Sequence, residues 1–165
     1  MKLSDFMTMR LNEQMNNEFL NERIYLALAD YFQEMRLDGF VWFMESQAEG
    51  EHEHAMRFYE YIHDRLSCTH MGTLEEIMGM PSSPQEAFSQ VMTLEQGTTA
   101  NIYRLIDDAC GECDHGTSVF LQWFVTEQIE EENTVDRWLA LVNRATSFND
   151  LLEINELLLE EKEDA

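Results

Sequence analysis

Glu49-Gly50-Glu51-His52-Glu53-His54 lies in the middle of the second long helical stretch of this chain, and its reading decides the fold. Around it the residues step alternately by four and three: Phe40, Met44, Gln47, Glu51, His54, Phe58, Tyr61. That spacing is the buried stripe of a helix packed in a bundle. Glu51 and His54 stand in the stripe where leucine would be expected. An unpaired carboxylate in a core costs several kcal/mol and stays ionised only when paired or metal-bound. The pair therefore calls for a partner.

Working outward, four more helices are predicted. The first runs from about Asp5 to Met35, capped by Ser4 or Asp5, with the stripe Leu11, Met15, Glu18, Glu22, Tyr25, Ala29, Phe32. Asp38-Gly39 marks a short connection, which makes the first two helices antiparallel neighbours. The second helix ends near Leu66. Ser67 to Ser83 is then a long connection. A helix of about 28 residues is about 42 Å long, and about 17 extended residues reach about 56 Å. The connection can thus run the whole length of the bundle and leave the second and third helices parallel. The third helix opens at Ser83-Pro84 and ends near Cys110-Gly111, with the stripe Phe88, Val91, Glu95, Thr98, Ile102, Leu105, Ala109. The fourth covers about Thr117 to Ala145, with Phe120, Phe124, Glu127, Glu131, Thr134, Trp138, Leu141. A short amphipathic fifth helix spans about Asn149 to Glu160, and the tip from Glu160 to Ala165 is expected to be solvated or frayed. The expected fold is all-α: a four-helix bundle over about 5–145 with a long crossover and a short C-terminal fifth helix, one domain across 1–165.

Composition narrows the partners. Ten Lys+Arg face 33 Asp+Glu, for a net charge of −23. Phosphate neutralisation needs Lys and Arg, so neither nucleic acid nor an anionic membrane suits this surface, whereas cations do. No apolar run approaches the roughly 20 residues of a membrane span. Met1-Lys2-Leu3-Ser4-Asp5-Phe6 has no apolar secretory core. Three cysteines, Cys68, Cys110 and Cys113, make no disulfide framework. A cytoplasmic protein is expected.

Each of the four bundle helices carries carboxylate in its stripe near mid-length: Glu18; Glu51 with His54; Glu95; Glu127 and Glu131. Unpaired, they would raise one another's pKa. Two divalent cations bridged between them remove that penalty, and the stripes contain no Lys or Arg to do so instead. Oxygen plus imidazole donors suit iron(II). Glu residues on two helices with Glu-x-x-His on another resemble the ligand pattern of ferritin-like di-iron proteins.

The resemblance extends over essentially the whole chain and is to the bacterial non-haem ferritins. It is carried by Leu11 to Glu18 (Leu-Asn-Glu-Gln-Met-Asn-Asn-Glu), Glu51-x-x-His54, Phe58-Tyr-Glu-Tyr-Ile62, Leu94-Glu95-Gln96 and Phe120 to Glu132. The fourth helix reads Gln128-Ile-Glu-Glu131, without the second Glu-x-x-His of bacterioferritins, and three cysteines are too few for a rubrerythrin-like iron domain. The resemblance implies an iron-storage ferroxidase, an Fe(II):oxygen oxidoreductase using O2 or H2O2, in a homo-oligomeric shell of about 24 subunits. It implies one iron at Glu18, Glu51 and His54 and a second at Glu51, Glu95 and Glu131, with Gln128 nearby and Tyr25 beside the centre. A third, outer iron site is implied at Glu127 and Glu130, weakened because Gly50 stands where a Glu is usual.

Two other readings of the same residues stay open: a di-iron oxidase or peroxide scavenger that stores nothing, and a metal-buffering bundle without catalysis. Tyr25 also reads as a core tyrosine capping a buried carboxylate, and Trp123 as core packing or as an electron donor. His52 reads as a surface histidine, and haem is not expected. Glu22 is an extra stripe carboxylate, either a transient iron site or solvent-leaning. Cys110-Gly-Glu-Cys113 reads as two exposed loop thiols; a redox pair or half a zinc site is the other reading, with no second pair to complete the latter. Iron oxidation needs no nucleophile or acid–base dyad, and none is read for it in the sequence.

Overall fold

A computed structural model describes residues 2–77 and 79–164. Five helices follow in order: α1 (Asp5–Glu34), α2 (Asp38–Asp64), α3 (Pro84–Gly111), α4 (His115–Val142) and α5 (Phe148–Asp164), with no strand among the described residues. Their starts are chemically marked. Ser4, Ser83 and Asp114 each accept the amide three residues on, at 3.1 Å, and Pro84 opens α3. The fifth helix is longer than predicted: it stays helical from Phe148 through Asp164 rather than fraying from Glu160.

Three helices end alike, each through a residue in the left-handed region: Arg36, Leu66 and Cys113. In each, paired amides turn back onto the last turn, as with Ser67 N–H to the Ile62 carbonyl at 3.1 Å and Leu66 N–H to the His63 carbonyl at 2.9 Å. α3 ends at Gly111, as expected, but the residue that turns left-handed after it is Cys113.

Pairs along the helices give the topology. Tyr25, Asn21 and Arg10 of α1 bond Glu95, Thr98 and Asp108 of α3, so these two run antiparallel. α1 and α2 are antiparallel across their short loop, which leaves α2 and α3 parallel. The crossover between them is laid along α1. Asn12 donates to the Cys68 carbonyl and accepts the His70 amide; Asn16 donates to the His70 carbonyl and accepts the Gly72 amide. One helical turn apart on α1, the two amides bond alternate residues of the crossover and satisfy its backbone. Arg23 continues the contact at the Glu75 carbonyl.

The interior divides by level. One apolar cluster holds Phe32, Phe40, Phe43, Phe88 and Trp138, closed below by Leu151, Ile154 and Leu158 of α5. The other holds Met7, Leu11, Phe58, Ile102, Leu121 and Phe124. Between them lies a buried polar layer: Glu18 and Asn21, Glu51 and His54, Glu95 and Thr98, and Gln128.

The predicted stripe of α3 is buried residue for residue. On α4 it is turned by one position, with Leu121, Phe124, Gln128, Val135, Trp138 and Val142 facing inward and Glu127 half-buried at the margin. On α1 the inward residue is Asn21; Glu22 leans outward and meets His52 Nδ1 at 3.2 Å.

Candidate metal centre

Heptad-like spacing brings one or two polar side chains from each bundle helix to the same height. Glu18, Glu51, His54, Glu95 and Gln128 are all 5% exposed or less, and Tyr25 is fully buried. Donor atoms of Glu18, Glu51 and His54 lie within 4.8 Å of one another, as do those of His54, Glu127 and Glu131. His54 is thus shared between an inner and an outer group. Its ring is fixed edge-on against Trp123 and Phe124, at centroid distances of 5.6 and 5.9 Å. The Arg57 guanidinium lies over the other partner of that contact, 3.7 Å from the Trp123 ring.

The carboxylates are oriented by neutral donors. Gln14 donates to Glu18 at 2.9 Å, and Asn21 to its other oxygen at 3.3 Å. Tyr25 donates to Glu95 Oε1, and Gln128 to Glu95 Oε2 at 3.1 Å. Gln47 holds Glu131 at 2.9 Å. No lysine or arginine is buried among the described residues. Two atoms are left over: Glu51 Oε2 and His54 Nδ1 are buried without a partner, 3.6 Å apart. Orphaned lone pairs of this kind, a carboxylate oxygen and an imidazole nitrogen, are what a divalent cation takes up. The donor set fits iron.

Electrostatics agree. Burial, then repulsion from Glu51, holds the Glu18 carboxyl well above the usual carboxylate range. Burial, then Glu95, pushes Glu51 up to about 8. Glu131 is raised by burial and by Glu95, and Glu95 by burial, which its Tyr25 and Gln128 bonds only partly offset. Burial and Glu95 also hold the Tyr25 hydroxyl well above its normal range, so it remains a donor. The metal-free layer therefore holds extra protons that a cation would displace.

Of the residues predicted from sequence, the structure gathers Glu18, Glu51 and His54 at one position. Glu127 and Glu131 join His54 at the next. Glu95 stands beside them with both oxygens engaged, outside either three-donor group. Glu130 is exposed and in neither group. Gln14, Asn21 and Gln47 were not predicted; a Gln four residues before Glu18 and another before Glu51 were the available signals.

Residues 9–145 match the family model described as a ferritin-like domain. The chain belongs to the ferritin family. Among its ferritin relatives, the bacterial non-heme ferritin of Staphylococcus epidermidis is 34% identical over 161 residues, covering 98% of this chain and 94% of its own. That of Staphylococcus saprophyticus is 35% identical over 153 residues, covering 93% and 89%. An open pore ferritin from the archaeon Archaeoglobus fulgidus superposes with a TM-score of 0.92 at 32% identity, over 95% of this chain and 98% of that one. A humanized archaeal ferritin gives 0.92 at 30% identity, over 95% and 96%.

Proposed function

We propose that this ferritin oxidises iron(II) at a dinuclear centre in its buried polar layer, with O2 or H2O2 as oxidant, and stores the ferric product in a shell built from copies of itself. The observation that carries the reading is the buried, unpartnered pair Glu51 Oε2 and His54 Nδ1 among carboxylates held by neutral donors. Iron is here both substrate and cargo. Glu18, Glu51 and His54 take one ion; Glu51, Glu95 and Glu131 take the second, with Glu51 between the two. Tyr25 and Gln128 orient Glu95 and yield as it turns toward the metal. Glu127 and Glu130, toward the outside of the layer, receive ions on their way through.

The chemistry asked of the protein is to hold two ferrous ions close enough that both deliver electrons to one oxidant. Protons displaced from Glu18 and Glu51 on binding leave both carboxylates charged for the more highly charged ferric product. Indole and phenyl edges around His54 keep bulk water away from one side of the centre. The chain's net charge of −23 accords with a homo-oligomer of about 24 chains in the cytoplasm, the setting proposed; among the described residues no helix is long and apolar enough to cross a membrane.

An aerobic iron(II) titration tests the reading. A fast ferric absorbance phase saturating near two irons per chain, followed by continued soluble uptake, supports it. A fast phase without further soluble uptake would leave a di-iron oxidase that stores nothing. Absence of a fast phase would refute the centre.

A further inference from the structure

The turn between α3 and α4 carries two thiols for which the iron chemistry has no use. Cys110 lies in the last turn of α3, and Cys113 is the left-handed residue that ends it, with φ 56°. The turn is closed by the Cys113 amide donating to the Cys110 carbonyl at 3.0 Å and the Asp114 amide donating to the Ala109 carbonyl at 2.8 Å. A hydrogen-bonded turn of this span holds its end Cα atoms within about 7 Å. Disulfides bridge Cα separations of about 4.4–6.8 Å. Both thiols are exposed. Cys113 opens onto a cavity of about 530 Å³ lined also by Tyr61, Arg65 and His115, and Cys110 Sγ touches Ser118 Oγ at 3.7 Å.

We propose that Cys110 and Cys113 form a reversible dithiol site oxidised by hydrogen peroxide. One thiolate attacks a peroxide oxygen, the O–O bond breaks, hydroxide leaves and a sulfenic acid remains; the second thiol then displaces that oxygen as water and the S–S bond forms. Two electrons pass from the two sulfurs to one peroxide, yielding two waters in all. A soft metal is the competing ligand for a thiol pair. It would need further donors, and among the described residues neither three-donor group contains a cysteine. The site is also remote from the iron centre. Cys110 lies 15 residues along α3 from Glu95, about 22 Å at 1.5 Å per residue. What the bond would lock is the turn that carries Asp114, which caps α4 and accepts two hydrogen bonds from Arg65 Nη2 at 2.9 and 3.0 Å.

Cys68 supplies an internal control, since it is equally exposed but alone on the crossover. Reduced full-length protein, freed of metal and reductant, is given one equivalent of hydrogen peroxide per chain. The expected result is a loss of about two mass units in the intact chain, located to a peptide containing both Cys110 and Cys113 and reversed by dithiothreitol. Cys68 remains titratable. Cys113→Ser and Cys110→Ser each abolish the loss, while Cys68→Ser and Glu51→Gln leave it intact, the last separating this site from the iron reading. Oxygen adducts on a single cysteine, crosslinks between chains, equal consumption of Cys68, or survival of all thiols would each overturn the proposal. So would stoichiometric zinc binding lost in Cys113→Ser, since it would make the pair a metal site.

Discussion

The two ends of the bundle and the layer between them are built on opposite terms. At the ends the packing is aromatic and apolar: Phe32 stacks on Phe40 with centroids 4.9 Å apart, and Phe58 on Phe124 at 4.4 Å. Among the described residues the one orphaned buried polar atom there is the Trp138 indole N–H. In the layer, carboxyls crowd one another with raised proton affinity, and a carboxylate oxygen and an imidazole nitrogen lack partners. Burial stabilises the ends by roughly 1.5–3 kcal/mol per large side chain, whereas burying like charges costs stability. The ends therefore impose on the layer a geometry it would not adopt alone. A bound cation returns what the layer costs.

If that contrast holds, one substitution in each region should do opposite things. Glu51→Gln keeps the shape but removes the charge shared by both iron positions. Initial iron(II) oxidation is expected to slow by at least about 100-fold, while the metal-free protein melts higher. A wild-type rate in this variant would mean that the layer is not the centre. Phe88→Ala at the end should cost about 3–5 kcal/mol in denaturant unfolding, yet leave the fast phase per folded chain in place. Loss of the fast phase at unchanged stability would erase the distinction between the regions.

The contrast sharpens with pH. Glu51 titrates near 8 in the folded chain against 4.5 as an ordinary glutamate, and Glu18 shifts in the same direction. The folded state thus binds more protons than the unfolded state between about pH 4.5 and 8, so stability of the metal-free protein falls as pH rises through that window. The contribution is on the order of a few kcal/mol. Urea unfolding at about pH 5 and pH 8 measures it, and Glu51→Gln should flatten the difference. A divalent cation should reverse the trend, because it binds better as the protons leave. An identical slope in the Gln variant would assign the pH dependence to surface repulsion instead.

How much of this was legible in the sequence differs from helix to helix. On α3 the stripe was fully readable because its buried residues from Phe88 to Ala109 keep the alternating step of three and four without interruption. On α4 large residues surround the helix: Phe120 and Trp123 are half-buried, Phe120 stacking on Tyr61 at 3.8 Å, and they drew the predicted stripe one residue away from Gln128. Counting carboxylates favoured Glu22, but the buried residue is Asn21, whose amide can donate to both Glu18 and Thr98 where another carboxylate would only repel. The ends of α1, α2 and α3 were legible to within two residues, but not the way in which they close. Arg36, Leu66 and Cys113 are all exposed and adopt a conformation that local preference assigns to glycine, held by paired amides bonded back to the last helical turn. Asn12 and Asn16, one turn apart, were the missed sign of where the crossover lies.

Glycine makes the smallest test of the comparison, because α2 carries one at its end and one beside the layer. A Cβ on Gly39 would meet the Asn155 carbonyl oxygen at 2.2 Å and Leu158 Cβ at 3.0 Å. Gly39 N–H also donates to Asn155 Oδ1 at 2.7 Å, so α5 is seated directly on this residue. Gly39→Ala must push α5 away, at about 1–3 kcal/mol. A Cβ on Gly50 meets nothing within 4 Å. Close packing therefore does not require that glycine, and Gly50→Ala should raise stability by about 1 kcal/mol through helix propensity alone. Calorimetry of the metal-free protein with a parallel oxidation assay decides its meaning. A higher melting temperature with unchanged oxidation makes Gly50 a neutral weakness of α2. A higher melting temperature with slower oxidation would mean that the helix needs freedom next to Glu51 as iron enters, and the layer would then be soft by construction where the ends are rigid.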